Sequence, residues 1–156
     1  MTLEALSLPS KSDVVAVGRI ARNILAAPFI YGLALPLAVL DAAVSLYQVV
    51  CFRLWRIGQV RRRDHVSFAR AELPYLNPMQ KMNCGYCAYA NGVLAYAREI
   101  AARTEQYWCP IKHVAPPAAP HHRYESFIPY GEVISLEARW EARREALKAP
   151  PRSGNP

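Results

Sequence analysis

The feature that most constrains this chain is an apolar run from Asn23 to Phe52. The run contains no Lys or Arg, and Asp41 is its one charged residue. Its thirty residues exceed the roughly 20 that a membrane-spanning helix needs. It starts too late for a signal peptide, and Glu4 stands where basic residues would precede one. A helical hairpin in a soluble core would show a polar face, and this run shows almost none. We therefore expect a membrane segment.

Two arrangements of the run in a bilayer are open. One continuous helix would be about 45 Å long, against a hydrocarbon core of ~30 Å. A break near Pro36 would instead give two arms of about 13–16 residues, and neither arm would cross the bilayer. The sequence favours this re-entrant hairpin over a single span. Asp41 is then expected at the lipid head groups of a shallow hairpin, with backbone NH groups or water at the break as the alternative partners.

The net charge of +7 would ordinarily suggest a nucleic-acid partner. Its distribution argues against nucleic acid, because residues 1–63 carry +5 of it and flank the apolar run. Basic flanks belong in the cytoplasm and suit anionic lipid head groups. A hairpin satisfies both flanks. A single span still leaves the C-terminal part in the cytoplasm, because the downstream flank has five basic residues and the upstream flank has three. We expect a bacterial inner-membrane protein with membrane-flanking residues Arg19, Arg22, Arg53, Arg56, Arg61, Arg62 and Arg63.

A second helix is predicted to begin near Pro78, and it carries a cysteine pattern. Cys84 and Cys87 form C-x2-C, and Cys109 and His113 follow 21 residues later as C-x3-H. The first pair shares one helix face, and Cys-Pro begins a turn that would fold His113 back over Cys109. Two close pairs of such ligands are typical of a Cys3His zinc site. An iron–sulfur cluster on the same four residues is the alternative, since thiolates suit both.

Other interpretations of these residues stay open. In the simplest alternative, the three cysteines are small buried core residues and His113 lies at the surface. Cys51 is expected to be a simple hydrophobic residue. Cys84 and Cys87 also have the C-x-x-C form of a thiol–disulfide oxidoreductase, although no strand pattern precedes them. A catalytic metal would require neighbouring polar groups, and a solvent-facing helix is the simpler interpretation of the candidates Asn91, Arg98, Glu99 and Glu105. His121 and His122 are alternative ligands, but they and His65 are expected to be solvated.

The C-terminal part of the chain predicts a short extended piece, FIPYGEVI, followed by a helix. Pro129 and Gly131 mark a turn, and Ser135 is the expected cap of the helix LEARWEARREALKA. This helix is expected to dock on the domain or to bind a protein partner, since its near-balanced charge argues weakly against a position on the membrane surface. Residues 149–156 are predicted to be a disordered tail. The glycines Gly85 and Gly92 in the preceding helix indicate a distortion or a close approach by another element.

Two resemblances add to this interpretation. The segment NCGYCAYANG…RTEQYWCPIKH resembles a motif set of a bacterial protein family without an assigned activity, and it implies no function. The Pro-broken apolar segment with basic flanks is similar in design to the re-entrant anchor of monotopic phosphoglycosyl transferases. The catalytic Asp-Glu pair of that family has no counterpart after the segment here. This second resemblance therefore implies topology alone.

Together these patterns predict a mainly α-helical, membrane-anchored protein with a small helical cytoplasmic domain. The expected function is that of an accessory or interaction protein with a zinc-stabilised Cys3His site, and the sequence leans against an enzyme. The rivals are a thiol–disulfide oxidoreductase, a metal-dependent enzyme at the membrane surface, or an iron–sulfur electron-transfer subunit. The predicted organisation is a flanking segment at 1–22, a membrane-embedded helical hairpin at 23–60, a basic connector at 61–77, a metal-binding domain at 78–148 and the tail at 149–156.

Overall fold

The structure, a computed structural model, describes residues 11–148, without the side chains at 11–17, 19, 20 and 71. The predicted tail at 149–156 and the first part of the flanking segment at 1–22 lie outside that range. The chain divides into two compact units between Pro36 and Leu37.

The described residues are mostly helical, which confirms the mainly α-helical part of the predicted fold class. Helix α1 spans Lys11–Gly32, α2 spans Ala34–Tyr47, α3 spans Pro78–Trp108 and α4 spans Leu136–Lys148. A π-helical turn at Gln48–Phe52 follows α2 directly. Short 3-10 turns occupy Arg62–Asp64, Ala69–Glu72 and His122–Ser126. An isolated parallel bridge joins Ile111 to Ile128.

The apolar run forms a helical stretch, Ala21–Phe52, that is long and apolar enough to cross a membrane. Leu33 is the one residue between α1 and α2. Pro36 explains this interruption, because its ring would clash with the carbonyl of Gly32 if the helix continued. The sequence favoured two arms with a break near Pro36, whereas the structure describes one long helical stretch interrupted at Leu33. Most of its apolar side chains are exposed, and Phe29 is 78% exposed.

The core of the second unit includes the end of the apolar run. Phe52 is fully buried and packs with Tyr96 and Ile100 of α3 and with Leu147 of α4. Tyr47 and Trp55 are partly buried and pack against this core. Trp55 stacks on the ring of Tyr107, with 5.4 Å between the ring centroids. The C-terminal end of the apolar run therefore belongs to the compact unit.

A buried glutamine fastens the π-helical turn to the loop and to α3. The Gln48 side-chain oxygen accepts a hydrogen bond from the Val60 backbone NH at 2.6 Å. Its amide nitrogen donates to the Val60 carbonyl at 3.2 Å and to the Tyr96 hydroxyl at 2.9 Å. One side chain thus satisfies both backbone groups of a buried residue, which would otherwise carry a large desolvation cost.

Helix α3 begins where the sequence predicted. Asn77 caps it through a reciprocal capping box, in which the Asn77 side chain accepts from the Gln80 NH at 2.8 Å and the Gln80 side chain accepts from the Asn77 NH at 3.0 Å. Pro78 occupies the first helical position, where a missing NH costs nothing. The close approach that the glycines suggested is found at Gly92, where the backbone of His65 and Val66 lies against the helix.

Helix α4 docks on α3, which is one of the two roles predicted for it. The Trp140 indole donates to the Tyr107 carbonyl at 3.1 Å, and the Arg144 guanidinium donates to the same carbonyl at 3.0 Å. Gln106 donates in turn to the Arg143 carbonyl at 2.9 Å. Ser135 precedes the helix with a φ of 56°, which differs from the extended backbone of an ordinary N-cap residue.

Replacing Gln48 by Leu will lower the free energy of unfolding by about 2–3 kcal/mol, because the NH and carbonyl of Val60 lose their buried partner. The neighbouring Gln59 is exposed, so Gln59→Leu is the matched control and will stay within about 0.5 kcal/mol of the parent. Denaturant unfolding of the detergent-solubilised chain, followed by circular dichroism, measures both. Equal effects of the two substitutions would contradict the role given to Gln48.

The two helix glycines will respond to alanine in opposite directions. A Cβ at Gly92 would lie 2.8 Å from the His65 carbonyl oxygen and 2.8 Å from the Val66 Cα, so Gly92→Ala will destabilise the chain by about 1–3 kcal/mol. A Cβ at Gly85 meets open space, so Gly85→Ala will raise helix stability by up to about 1 kcal/mol. Thermal unfolding of both variants is the measurement, and a stabilising Gly92→Ala would show that no close approach exists.

Candidate functional site

A groove runs along one face of α3 and contains the first cysteine pair. Its volume is about 810 Å³. One wall is the segment at 65–70, and the other is a helix stripe in which Cys84, Cys87, Asn91 and Ala95 recur every three or four residues. We call it the dithiol groove, and its lining residues are His65, Ser67, Ala69, Arg70, Asn83, Cys84, Cys87, Ala88, Asn91, Gly92 and Ala95.

The local sequence explains how the groove forms. Gly92 lets the backbone of His65 and Val66 approach α3 closely, and the chain beyond them forms the opposite wall. Cys84 is half-buried and Cys87 is exposed, and neither is in a disulfide. The Asn91 amide donates to the Cys87 carbonyl at 2.9 Å. Both thiols are therefore held on a regular helix and open to the same space.

The second predicted ligand pair lies at the other end of α3. Cys109 is the residue that follows the helix. It stands twenty-five residues after Cys84, so at ~1.5 Å per residue the two are about 37 Å apart. A single metal ion reaches its ligands at about 2 Å, so the structure does not bring the four predicted Cys3His ligands together. Within residues 11–148, no three His, Cys, Asp or Glu residues form a group that would hold a metal ion.

His113 contacts a tyrosine in place of the expected turn over Cys109. Its backbone NH donates to the Tyr124 hydroxyl at 2.8 Å, and its Nδ1 lies 3.1 Å from the same oxygen. The chain from Cys109 runs past Ile128, where the Ile128 NH donates to the Pro110 carbonyl at 2.7 Å and the Lys112 NH donates to the Ile128 carbonyl at 2.8 Å. The predicted Cys-Pro turn is present as a tight γ-turn, in which the Ile111 NH donates to the Cys109 carbonyl at 2.8 Å, and the chain beyond it lies beside Ile128.

The polar residues proposed to surround a catalytic metal serve the packing of the C-terminal segment. The Glu99 carboxylate accepts hydrogen bonds from Arg103 at 2.8 Å and from Arg123 at 2.7 Å. Arg98 donates to the carbonyl of Pro120 at 2.8 Å. Glu105 lies 2.9 Å from the Nε2 of His121. Of the four residues proposed, only Asn91 lines the dithiol groove.

The three other histidines differ in exposure. The His122 side chain is 71% exposed, which confirms the expected solvation. The expectation was wrong for His121, whose side chain is 13% exposed and packs between the rings of Tyr124 and Phe127. His65 is half-buried and lines the dithiol groove. Ring packing and the Glu105 carboxylate fix His121, and a single sequence carries no signal for either contact.

The acidic residue of the apolar run has partners that sequence reasoning missed. The Arg62 guanidinium donates to both Asp41 carboxylate oxygens, at 3.0 Å and 2.7 Å, in a bidentate pair. The Tyr89 hydroxyl donates to the same carboxylate at 3.2 Å. Arg62 belongs to the group expected to bind lipid, and here it neutralises Asp41. Its neighbours Arg61 and Arg63 are exposed, and Arg61 also pairs with Asp64 at 3.2 Å.

The remaining flanking arginines fall into three groups. Arg53 and Arg56 are exposed, as expected of lipid-binding side chains. Arg22 donates within α1 to the Gly18 carbonyl at 3.3 Å. The Arg19 side chain lies outside the described residues.

Comparisons with protein-family models, with curated proteins and with solved structures found no match to this chain. The function is therefore argued below from the contacts of the chain itself.

Stability will decrease in acid because of Glu99. Burial would raise the pKa of this carboxyl, but hydrogen bonds from Arg123 and Arg103 outweigh burial and hold the pKa below its ordinary value of 4.5. The resulting stability is fully present above pH 4.5 and is lost as the pH falls through the lower folded-state pKa. Glu99→Gln will cost about 2–3 kcal/mol at neutral pH and will flatten the pH dependence of stability below pH 4.5.

The measurement is the unfolding midpoint at a series of pH values, with Glu125→Gln as the exposed control. A Glu99→Gln variant that keeps the full acid dependence of the parent would show that another carboxylate is responsible.

Proposed function

We propose that this protein is a membrane-anchored accessory or interaction protein, in which an apolar helix holds a compact helical unit at the cytoplasmic face of the membrane. The observation that carries the proposal is that polar side chains join the apolar helix to the compact unit from Asp41 onward.

The helix before Asp41 has the properties of a membrane span. Residues 21–40 are about 30 Å long at ~1.5 Å per residue, which matches the hydrocarbon thickness of a bilayer. Most large apolar side chains there face outward, and Leu25 and Leu35 are 73% and 72% exposed, whereas Leu37 is buried at 6%. Such exposure is costly in water and favourable in lipid.

The helix from Asp41 onward is instead joined to the compact unit. Asp41 pairs with Arg62, and the Ser45 hydroxyl lies 3.4 Å from that of Tyr96. The hydroxyl of Tyr47 lies 3.1 Å from that of Thr104. These contacts support a membrane segment shorter than the thirty-residue run, with Asp41 at its cytoplasmic boundary. A single span is then favoured over the re-entrant hairpin that the sequence suggested.

The charge at this boundary supports the cytoplasmic side. Because Arg62 reaches Asp41, its exposed neighbours Arg61 and Arg63 are brought to the same level. Basic residues next to a span mark its cytoplasmic end and attract anionic lipid head groups. The proposal therefore includes anionic lipids as partners and places the N-terminus on the opposite side of the bacterial inner membrane.

An exposed apolar face on the compact unit supports an interaction role. Leu46, Val50 and Leu54 recur every four residues and are 66%, 56% and 76% exposed. They follow the proposed boundary at Asp41. Exposed apolar patches of this kind mark contact surfaces for proteins or lipids.

The topology is tested with an epitope tag at each end of the chain and protease added to spheroplasts. We expect the N-terminal tag to be cut in intact spheroplasts and the C-terminal tag to be protected until they are lysed. Protection of both tags would establish the hairpin. Release of the chain from membranes by alkaline carbonate would overturn the proposed membrane anchor.

The boundary is tested with two matched pairs of arginine substitutions. Phe29→Arg with Leu33→Arg will reduce the carbonate-resistant fraction strongly, since each charge near the centre of a span costs about 2.5–3.5 kcal/mol. Leu46→Arg with Val50→Arg will leave that fraction unchanged, because both positions follow Asp41. Equal losses from the two pairs would place residues 41–52 in the membrane as well.

A second candidate function is thiol–disulfide exchange. It is favoured because Cys84 and Cys87 both line the dithiol groove. A zinc-stabilised module or an iron–sulfur subunit with the predicted ligand set would need the first cysteine pair of one chain and Cys109 with His113 of another. Differential alkylation and mass spectrometry test for a reversible Cys84–Cys87 disulfide in cells. If the two thiols remain reduced under mild oxidative stress, the exchange function is rejected.

A further inference from the structure

The dithiol groove has a lining suited to soft cations. Its two sulfur atoms are accompanied by one imidazole, from His65, and by one formal charge, on Arg70. Within the described lining there is no Asp or Glu, so the groove lacks the carboxylate ligands by which magnesium and calcium are usually bound. Thiolates bind soft ions such as Cu(I) and borderline ions such as zinc.

The spacing of the two thiols favours a shared ion. Side chains three residues apart on a helix are neighbours, with about 5–6 Å between their Cβ atoms. Cys84 and Cys87 lie in the seventh and tenth positions of α3, where the helix is regular. Neither is in a disulfide, and both border the groove. Two sulfur atoms so placed can bind one ion between them.

Coordination number separates the candidate ions. Zinc in proteins takes four ligands, and the predicted third and fourth ligands lie about 37 Å away along α3. Cu(I) is a soft d10 ion that is stable with two thiolates in a near-linear arrangement. His65 also lines the groove, but within the described residues it does not form a three-ligand group with the two cysteines. The groove therefore meets the full requirement of Cu(I) and supplies zinc with two thiolates only.

We propose that Cys84 and Cys87 form a two-thiolate site for a soft monovalent cation of the Cu(I) class. On binding, each thiol releases one proton and each sulfur donates one electron pair to the ion, which stays in the +1 state. The resulting bis-thiolate complex carries a net charge of −1. Arg70 lines the same groove and stabilises this charge, and affinity rises with pH because two protons are released.

The site is tested by anaerobic titration of the purified full-length chain with Cu(I) in competition with a chromophoric Cu(I) chelator. We expect one ion per chain and an ultraviolet thiolate-to-metal charge-transfer band. Cys84→Ser with Cys87→Ser will abolish both signals. Cys109→Ser is the matched control, since Cys109 is an exposed cysteine at the far end of α3, and it will bind as the parent does.

Arg70 gives a variant that keeps both thiols and is not expected to disturb folding, since Arg70 is exposed. Arg70→Gln will weaken Cu(I) binding by about tenfold, and Arg70→Lys will restore most of it. An unchanged Cu(I) affinity in Arg70→Gln would show that Arg70 does not stabilise the negative charge of the complex. Binding that survives in the double serine variant would overturn the site itself.

Cobalt(II) serves as a spectroscopic substitute for zinc in a parallel titration. We expect no tetrahedral cobalt–thiolate spectrum from the monomeric parent chain. A tetrahedral spectrum that is lost in Cys109→Ser would overturn the two-thiolate site in favour of a four-ligand site. These titrations do not depend on the membrane topology, so the failure of one proposal leaves the other standing.

Discussion

The hydrogen bonds of Gln48 are the interaction on which the arrangement of the compact unit depends. A helix rich in Leu, Val and Ala has little directional preference for the element that it packs against. Gln48 supplies that direction, because its amide binds both backbone groups of Val60 and the hydroxyl of Tyr96. These bonds fix the turn after the apolar helix and place Phe52 in the core between α3 and α4. The ion pair of Asp41 with Arg62 likewise joins the apolar helix to the compact unit, at an earlier position in α2. Polar contacts therefore join the apolar helix to the folded unit from Asp41 onward.

The length of helix α3 determines how far apart the cysteines of the compact unit lie. Its thirty-one residues place one cysteine pair near the start and the third cysteine at the end. Gly92, in the middle, allows the segment at 65–66 to lie against the helix, and this contact gives the dithiol groove its second wall. The two cysteine regions thus have different surroundings. Cys84 and Cys87 share a groove with Arg70, whereas Cys109 leads into the segment beside Ile128.

Much of the fold follows from the sequence, because local patterns determine it. Pro78 after Asn77, the apolar run with basic flanks, and the amphipathic segment after Ser135 each predict a helix that the structure contains. Gly92 likewise indicated a close approach. The candidate site was less predictable. A helix predicted through residues 78–108 already separates Cys84 from Cys109 at ~1.5 Å per residue, so the helix and the four-ligand site were incompatible expectations. The partners of Asp41 and His121 are distant in sequence or depend on ring packing, and neither leaves a periodic signal.

The contact between Tyr89 and Asp41 has a consequence for access to the cysteines. Tyr89 is two residues beyond Cys87 on α3, and its hydroxyl binds the carboxylate that marks the proposed membrane boundary. Under the proposed topology the dithiol groove lies at the end of α3 nearer the lipid, and Cys109 follows the other end of the helix, about 33 Å from Cys87. A reagent that partitions into the bilayer would then reach Cys87 before Cys109, whereas a reagent confined to water would meet Cys109 as readily. The two cysteine regions of the compact unit would thus differ in the phase from which each is approached.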